Sequence, residues 1–380
     1  MEKMGLSFQI VPQNANETLP SCLSPREAVT ELARRKCLAG AENAEKRDFV
    51  IGADTLVFLD GVPLGKPKDE GEALSMLMAL SGRTHKVITG VAVFLDGYVD
   101  AGAEETAVTF KPFDRAAALR YIRTGEPMDK AGAYGIQGKG ARLVAGYKGS
   151  LDNVIGLPGA LVRTLLDRQE RRARMRQVAD RLCRLYPDAA CALSYGGDPW
   201  RLLVMGRLSA QCTDARVNLV CKDLFTKYPT AAAMAAADVD EVCEAVRSCG
   251  LYRVKGRDLV AASKRLTEVY GGELPSTMEE LLTFPGVGRK IANLLLGDVF
   301  HRPAVVTDTH CIRICGRLGA YDEKEKNPEK IEKILTALLP AEGSADFCHR
   351  IVTFGREVCT ARAPRCAACP LADLCPHGKG

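Results

Sequence analysis

Two domains of different class are predicted for this chain: an α/β domain followed by an all-α domain. At 380 residues, of which 47% are hydrophobic, the chain can bury two cores. Strand and helix patterns alternate through the first half, whereas strand signals nearly vanish in the second. We therefore expect domains at residues 1–168 and 169–380. The Arg-rich stretch 165–187, with no Gly or Pro before its last residue, predicts a long helix at the junction.

Capping and turn signals predict the elements of the first half. SPREAVTELARRKCLAG (24–40) predicts a helix with Ser24 as its N-cap and Glu27 completing a capping box. FVIGADTLVFLDGVPL (49–64) predicts two strands around an Asp-Gly turn, and KVITGVAVFLDGYV (86–99) repeats that pattern. A mixture of hairpins and helices indicates an α/β or α+β domain. We expect an α/β domain with a mixed sheet and helices.

Composition and charge exclude several classes of protein. No apolar run reaches the ~18–20 residues of a membrane helix, and the N-terminus lacks the apolar core of a signal peptide. We therefore expect a cytoplasmic protein without a membrane partner, in which most of the 15 cysteines are free. The net charge of +5 lies in residues 170–380, since the charges of residues 1–169 balance. That distribution is a mild indication of a polyanionic partner for the second half.

A helix-hairpin-helix pattern is predicted in STMEELLTFPGVGRKIANLLLGDV (276–299). Ser276 is the expected N-cap of its first helix, with Glu279 completing a capping box. Gly286 and Gly288 allow a hairpin too tight for side chains, and a second helix is expected to begin near Gly288. The first N–H groups of that helix suit a phosphate of the DNA backbone. The alternative is an ordinary tight corner between two helices.

Candidate reacting groups follow this hairpin. Lys290 lies just past it, where a lysine is usually a charge contact but can be an amine nucleophile if a carboxylate assists it. VVTDTHCIRICGRLG (305–319) offers Asp308 followed by His310, although an Asp at the start of a helix is usually only an N-cap.

Four cysteines near the end of the chain form the pattern C-x6-C-x2-C-x5-C within residues 359–375. One C-x-x-C pair is less than the two tight pairs usual for zinc, and four thiolates are also what a [4Fe–4S] cluster requires. The spacing alone leaves both metals open for the four residues Cys359, Cys366, Cys369 and Cys375.

The second half resembles the endonuclease III family of DNA base-excision glycosylases. The resemblance is carried, in order, by LLVMGRLSAQCTDARVN (202–218), GLYRVKGRDL (250–259), FPGVGRKIAN (284–293), VTDTH (306–310) and the cysteine array. It implies an all-α fold of two lobes, damaged double-stranded DNA as the partner, and a [4Fe–4S] cluster rather than zinc. It also implies a bacterial type of protein, associated with the nucleoid through DNA.

The family mechanism maps onto matching positions of this sequence. The resemblance implies that Lys290 attacks C1′ of a flipped-out damaged nucleotide and forms a Schiff base, after which β-elimination cuts the strand. Asp308 would assist Lys290, and Gln211 and Leu251 would fill and wedge the emptied stack. His310 would support the DNA backbone. From the residues alone, Gln211 and Leu251 could equally be ordinary helix-end residues.

The first half resembles the Maf-like nucleotide pyrophosphatases, in particular the branch acting on dTTP and UTP. The matching stretches are IGADTLV (51–57), LGKP (64–67), SGRTHKVITGV (81–91), MDKAGAYGIQGKG (128–140) and NVIGLP (153–158). The resemblance implies hydrolysis of a pyrimidine nucleoside triphosphate to a monophosphate and pyrophosphate, with a divalent metal, Mg²⁺ or Mn²⁺.

Five residues of the first half receive roles from that resemblance. Asp54 would be the general base or a metal-side carboxylate. Lys36 and Lys66 would bind phosphate, and Thr55 and Gln137 would help to choose the base. The alternative to these functional roles is that Asp54 is a turn residue and that the two lysines are surface charges.

The opening loop of the Maf-like family is not found where it is expected. That family begins with a strand and an S-P-R-R loop whose arginines hold the triphosphate, whereas MGLSFQIVP here aligns after that loop. SPRE at 24–27 lies too late and has one Arg. We expect a start assigned too far downstream, or else a domain without its phosphate clamp. The alternative function is therefore a repair enzyme with a noncatalytic, regulatory first domain, and the oligomeric state stays open.

Overall fold

The computed structural model describes residues 4–12, 15–20, 22–42, 44–45 and 48–379. The outer limits of the two expected domains, residues 1 and 380, lie outside these ranges. Contacts between Cα atoms divide the chain into two compact units, residues 1–173 and 174–380. Among the described residues, no helix is long and apolar enough to span a membrane.

The first unit is an α/β fold built on one five-stranded sheet with the strand order β2-β1-β3-β4-β5. Each pair of neighbouring strands is antiparallel in the described residues, so the expectation of a mixed sheet is wrong: hairpins, not crossovers, join β1 to β2 and β3 to β4. Its elements are α1 (Pro25–Ala41), β1 (Val50–Leu59), β2 (Val62–Leu64), α2 (Glu70–Leu80), β3 (Thr84–Leu95), β4 (Tyr98–Phe110), α3 (Arg115–Ile122), β5 (Val144–Lys148), α4 (Leu151–Ile155) and the start of α5 (Gly159–Leu185). The Ser24–Glu27 capping box of α1 and both predicted Asp-Gly hairpins are present.

Two glycines allow α1 to lie directly against the sheet. A Cβ at Gly90 of β3 would stand 2.1 Å from the carbonyl oxygen of Val29, and one at Gly52 of β1 would stand 2.4 Å from the backbone of Ala33 and Cys37. No side chain larger than hydrogen fits between helix and sheet at these positions. The close approach brings the last turns of α1 over the middle of β1, where the candidate site of this unit lies.

The second unit is helical and has two hydrophobic cores. It contains the end of α5, then α6 (Pro199–Leu208), α7 (Asp214–Lys227), α8 (Ala231–Ala235), α9 (Val239–Ala245), α10 (Tyr252–Tyr270), α11 (Met278–Leu281), α12 (Arg289–Asp298), α13 (Thr309–Arg317), α14 (Pro328–Leu338) and α15 (Ser344–Glu357). The first core is formed mainly by α6 to α12, and Ala304 is its last residue in the sequence. The second core is formed by residues of α5 together with residues from Val305 onward. The two cores are the two lobes expected for an all-α fold.

The predicted cap of α11 is wrong by one residue. Thr277, not Ser276, is the N-cap: its Oγ accepts the Glu280 N–H at 3.3 Å and donates to the Glu280 carboxylate at 2.6 Å. The sequence fits a capping box in either register, at 276/279 or at 277/280. Ser276 is used otherwise, because the Arg302 guanidinium donates to its carbonyl and hydroxyl oxygens.

Candidate active sites

Four of the five predicted site residues of the first unit line one cavity, and Lys36 is not among them. This cavity of about 580 Å³ is lined by Asp54, Thr55, Lys66 and Gln137, among other residues. Ligand pockets commonly measure about 300–1,000 Å³. Asp54 and Thr55 come from β1, whereas Gln137 comes from the loop that follows α3. The resemblance-based assignment therefore selected side chains that converge in space.

A lysine between two carboxylates flanks this cavity. Lys36 of α1 donates a hydrogen bond to Asp54 and lies 2.9 Å from the carboxylate of Glu17. The side chain of Asp54 is only 13% exposed, whereas that of Glu17 is 66% exposed. Sequence reasoning did not find Glu17, because an acidic residue in a polar stretch carries no signal of its own.

Burial and pairing act in opposite directions on these two groups. Burial raises the pKa of the Asp54 carboxyl above its ordinary value, and the Lys36 ammonium reduces that rise without cancelling it. For Lys36, burial lowers the pKa, but its hydrogen bonds with Asp54 and Glu17 outweigh burial and leave the pKa raised. Lys36 is therefore a firmly protonated cation beside a carboxylate that is harder to ionise than usual.

A buried hydrogen-bond network holds the wall that carries Thr55. The hydroxyls of Thr55 and Thr89 are 2.9 Å apart, and Thr89 donates to the carbonyl of Asn153 at 2.8 Å. The fully buried Asn153 amide in turn donates to Val87 and Thr106. In the sequence, Asn153 lies 64 residues from Thr89 and 66 residues from Val87, so no local pattern reveals these contacts.

The hairpin of the second unit is too tight for a side chain at Gly286, as predicted, but the same prediction is wrong at Gly288. Gly288 is the N-cap of α12 and supplies no side chain to cap the first turn, which leaves room at the helix N-terminus. A Cβ at Gly288 would meet no atom within 4 Å. Gly286 is different: its φ is +74°, and a Cβ there would lie 2.5 Å from Arg207 and 2.6 Å from Asp258. At Gly286 the hairpin therefore packs directly against the Arg207–Asp258 ion pair.

Lys290 and Asp308 stand at the N-terminal ends of two helices in different lobes. Lys290 is an exposed residue in the first turn of α12, whose apolar face packs in the first core. Asp308 is the N-cap of α13, which packs in the second core, and it accepts the Cys311 N–H at 2.7 Å. Next to Lys290, Arg289 forms an ion pair with Glu332 of α14 and so joins the lobes. The N-cap role of Asp308 is thus real, and it fixes that carboxylate at the lobe boundary.

Gln211 and Leu251 share an unusual backbone conformation. Both are exposed and lie in the left-handed region, with φ of +55° and +51°. Leucine is rarely found there, and the strain is of order 1–3 kcal/mol per residue. The Leu251 side chain is 56% exposed, which leaves a large apolar group in solvent. Each residue therefore projects from a strained loop.

His310 lies in the first turn of α13 and packs against α15. Its Nδ1 lies 3.3 Å from the Arg313 guanidinium, and a Cβ at Gly355 would stand 2.5 Å from that nitrogen. Burial lowers the pKa of His310, and the nearby Asp308 carboxylate acts in the opposite direction. The imidazole is therefore favoured in its neutral form next to Asp308.

The four C-terminal cysteines line one cavity together with apolar residues of α13 and α15. N–H groups point at two of the sulfurs: Arg317 donates to Cys359 at 3.4 Å, and the Leu371 amide donates to Cys369 at 3.4 Å. Such donors are typical of thiolates that hold an iron–sulfur cluster. In the part of the chain that the structure describes, no three His, Cys, Asp or Glu side chains are grouped to hold a single metal ion. The four thiols that line this space are the donor set that a [4Fe–4S] cluster requires.

Comparisons with known families assign both halves. Three family models match, described as "Maf-like protein" at residues 1–169, "HhH-GPD superfamily base excision DNA repair protein" at 204–341, and "Iron-sulfur binding domain of endonuclease III" at 359–375. An endonuclease III from Synechocystis sp. is 43% identical over 221 residues, 58% of this chain and 98% of the relative. A dTTP/UTP pyrophosphatase from Desulfitobacterium hafniense is 49% identical over 172 residues, 44% of this chain and 78% of the relative.

The chain belongs to both families. It is a fusion of a Maf-like domain with an endonuclease III domain. A solved structure described as a trapped endonuclease III–DNA covalent intermediate is 40% identical, with a TM-score of 0.52; the alignment covers 55% of this chain and 97% of that one. The predicted fold classes and the recognition of both families are confirmed. In the endonuclease III domain, the iron–sulfur match coincides with the cysteine-lined cavity.

Proposed function

We propose that the endonuclease III domain is a DNA glycosylase and AP lyase that removes oxidised pyrimidines, and that the Maf-like domain is a pyrophosphatase for pyrimidine nucleoside triphosphates. The observation that carries the first assignment is the pair of helix N-termini, one presenting Lys290 and the other Asp308, at the boundary of the two lobes.

Lys290 is the nucleophile of the proposed repair reaction. Its amine, once deprotonated, attacks C1′ of the flipped-out nucleotide and forms a C–N bond as the bond to the damaged base breaks. The base leaves with the bonding electron pair and takes up a proton. The ring then opens to a Schiff base, and loss of the C2′ proton expels the 3′ phosphate by β-elimination. Asp308 stabilises the positive charge that develops on the sugar.

The remaining residues of this domain hold the DNA. The open N-terminus of α12 beyond Gly286 and Gly288 receives a phosphate, because no side chain covers its first N–H groups. Gln211 and Leu251 enter the space left by the extruded nucleotide, and His310 supports the backbone near Asp308. The cysteines at 359, 366, 369 and 375 hold a [4Fe–4S] cluster, whose contribution is to fix the C-terminal loop beside the DNA.

Borohydride trapping on duplex DNA that contains thymine glycol tests this assignment. Wild-type protein should give a covalent adduct, and Lys290→Ala should give none. Lys333→Ala is a matched control, because Lys333 is an exposed lysine on α14 of the same unit, with its side chain 72% exposed. An adduct that survives in Lys290→Ala would show that another amine is the nucleophile.

In the Maf-like domain, Asp54 acts as the general base or binds the metal. A divalent ion, Mg²⁺ or Mn²⁺, suits this site because such ions commonly bind one or two carboxylates together with substrate phosphates. Asp54, which lines the cavity, and Glu17, which shares Lys36 with it, would hold that ion. Lys36 and Lys66 bind the triphosphate, and Thr55 and Gln137 contact the base. When bound, the ion neutralises phosphate charge.

Hydrolysis of dTTP to dTMP and pyrophosphate tests the second assignment. Turnover should require the divalent ion and should fall at least about 100-fold in Asp54→Asn, which keeps the shape but loses the charge. Asp167→Asn is the control, because Asp167 is an exposed carboxylate on α5, is paired with Arg171 and does not line that cavity. If the wild type binds dTTP without turning it over, the domain is a nucleotide-binding module and the pyrophosphatase assignment is wrong.

A further inference from the structure

A buried lysine joins the two loops that carry Gln211 and Leu251. Lys255 lies in the first turn of α10 and is completely buried. Its Nζ donates to the carbonyl oxygens of Leu208 at 2.9 Å, Ala210 at 2.7 Å and Cys249 at 2.8 Å. An ammonium group has three N–H donors, so these three acceptors use all of them.

The acceptors come from the two loops in question. Leu208 is the last residue of α6, and Ala210 lies in the turn that leads directly into Gln211. Cys249 ends a short 3-10 helix two residues before Leu251. Strained conformations of this kind persist only where the surrounding structure enforces them. The single ammonium group of Lys255 therefore hydrogen-bonds the backbone just before each of the two left-handed residues, Gln211 and Leu251.

The position of Lys255 is itself fixed. The next residue, Gly256, packs so tightly against α9 that a Cβ would stand 2.6 Å from the sulfur of Cys243 and 2.8 Å from its Cα. The first turn of α10 therefore lies directly against α9, with no room for a side chain between them. Among the described residues, no carboxylate forms an ion pair with Lys255, so backbone dipoles alone compensate the buried charge. Such a charge is costly to bury, and a methionine would fill the space without that cost.

We propose that Lys255 is a positioning residue for DNA strand insertion: it locks the Gln211 and Leu251 loops to each other, so that both side chains enter the duplex as one rigid unit. This inference rests on the proposed repair function. Lys255 touches neither the sugar nor Lys290, and its effect is confined to substrates that have a base stack to be filled. A purely structural lysine would affect all substrates equally.

The test compares one abasic strand in two forms, paired in a duplex and single-stranded. Borohydride trapping rates are measured for wild type, Lys255→Met, Leu251→Ala and the double variant. A single strand has no stack to wedge, so Lys255→Met should trap it within about twofold of wild type. On the duplex, a small misplacement of the inserting groups should cost about 100-fold in kcat/KM. In the Leu251→Ala background, Lys255→Met should add little, because both variants remove the same action.

Ser263→Ala is the matched control. Ser263 is buried on the same helix and accepts a hydrogen bond from the indole N–H of Trp200, away from both loops. Its loss should lower stability and leave the ratio of duplex to single-strand trapping unchanged. Trp200 is the only tryptophan in the sequence, so its fluorescence reports the folding of every variant. If Lys255→Met does not fold, Lys255→Gln replaces it, since an amide keeps two N–H donors.

Wild-type protein supplies a second measurement that needs no variant. Without DNA, hydrogen exchange of the segments 208–212 and 249–252 should already be slow and similar, because one group holds both. Fast exchange in either segment overturns the proposal, as does an equal loss of trapping on both DNA forms in Lys255→Met. If the wild type forms no adduct on either form, the lyase function itself fails, and this inference fails with it.

Discussion

Gly286 and Gly288 are two residues apart in one hairpin, yet alanine should have opposite consequences at the two positions. At Gly286 the left-handed backbone costs an alanine about 1–2 kcal/mol. Its Cβ would also stand 2.5–2.7 Å from atoms of Arg207 and Asp258, whose side chains are only 15% and 21% exposed. Parting this half-buried ion pair adds about 1–2 kcal/mol, between the values for exposed and buried pairs. The expected loss in the free energy of unfolding is about 2–4 kcal/mol.

At Gly288, alanine should cost less than about 1 kcal/mol in stability, because φ is −102° and no atom lies within 4 Å of its Cβ. The methyl group instead enters the space in which the helix N-terminus would receive a phosphate. We expect Gly288→Ala to weaken duplex binding about tenfold, the loss of roughly one charge-assisted hydrogen bond. Gly286→Ala should retain near-normal affinity in whatever fraction stays folded.

Urea unfolding followed by Trp200 fluorescence measures the stability part, because Trp200 packs in the same core as the hairpin residues Phe284 and Val287. With a slope of about 2–3 kcal/mol per molar urea, the midpoint of Gly286→Ala should fall by about 1 M. Titration of fluorescent duplex DNA measures affinity. Equal midpoints for the two variants, or weaker DNA binding by folded Gly286→Ala than by Gly288→Ala, would refute this reasoning.

Three further predictions concern other parts of the chain. Lys36→Met should raise the pKa of Asp54 further and move the acid limb of the dTTPase pH profile to higher pH; an unmoved limb would show that the pair does not control ionisation. Burial lowers the pKa of His85 from 6.5 to about 4, so the folded state binds fewer protons than the unfolded chain. The first unit should lose about 3 kcal/mol of stability as pH falls from 6.5 to 4, and His85→Gln should flatten that loss in hydrogen exchange of β3. Cys366→Ser should reduce the visible absorbance of the cluster and weaken DNA binding, whereas Cys183→Ser, an exposed cysteine on α5, should change neither.

Local signals predicted the first half well because they act within a few residues. An Asp-Gly pair between two apolar strands leaves little choice but a hairpin, and both hairpins form with positive φ at the Asp and Gly positions. The capping box of α1 is equally local. The cap of α11 failed for the opposite reason: two registers satisfy the same local rule, and the choice between Ser276 and Thr277 falls to Arg302, which lies 26 residues from Ser276.

The site residues divide in the same way. Those within motifs, such as Asp54 and Gln137, could be selected from the sequence, and they line one cavity. Glu17 and Lys255 could not, because each acquires its role only through partners distant in the fold. A lysine in the first turn of a helix is normally predicted to be a solvated charge. Nothing in GLYRVKGRDL shows that Lys255 is completely buried. Burial of a polar group against distant carbonyls is a tertiary property.

The structure separates residues that would contact DNA from residues that would hold them in place. Leu251 and Lys290 are exposed, so their loss removes few contacts within the protein. The groups behind them, Lys255 and the Arg207–Asp258 pair, are buried or nearly so. Strain at Gln211 and Leu251 lowers stability, and the buried polar groups behind them restore it. Substitutions at the exposed positions should therefore impair repair at nearly full stability. Behind them, Gly286→Ala should lower stability by parting the Arg207–Asp258 pair, and Lys255→Met should slow trapping on duplex DNA.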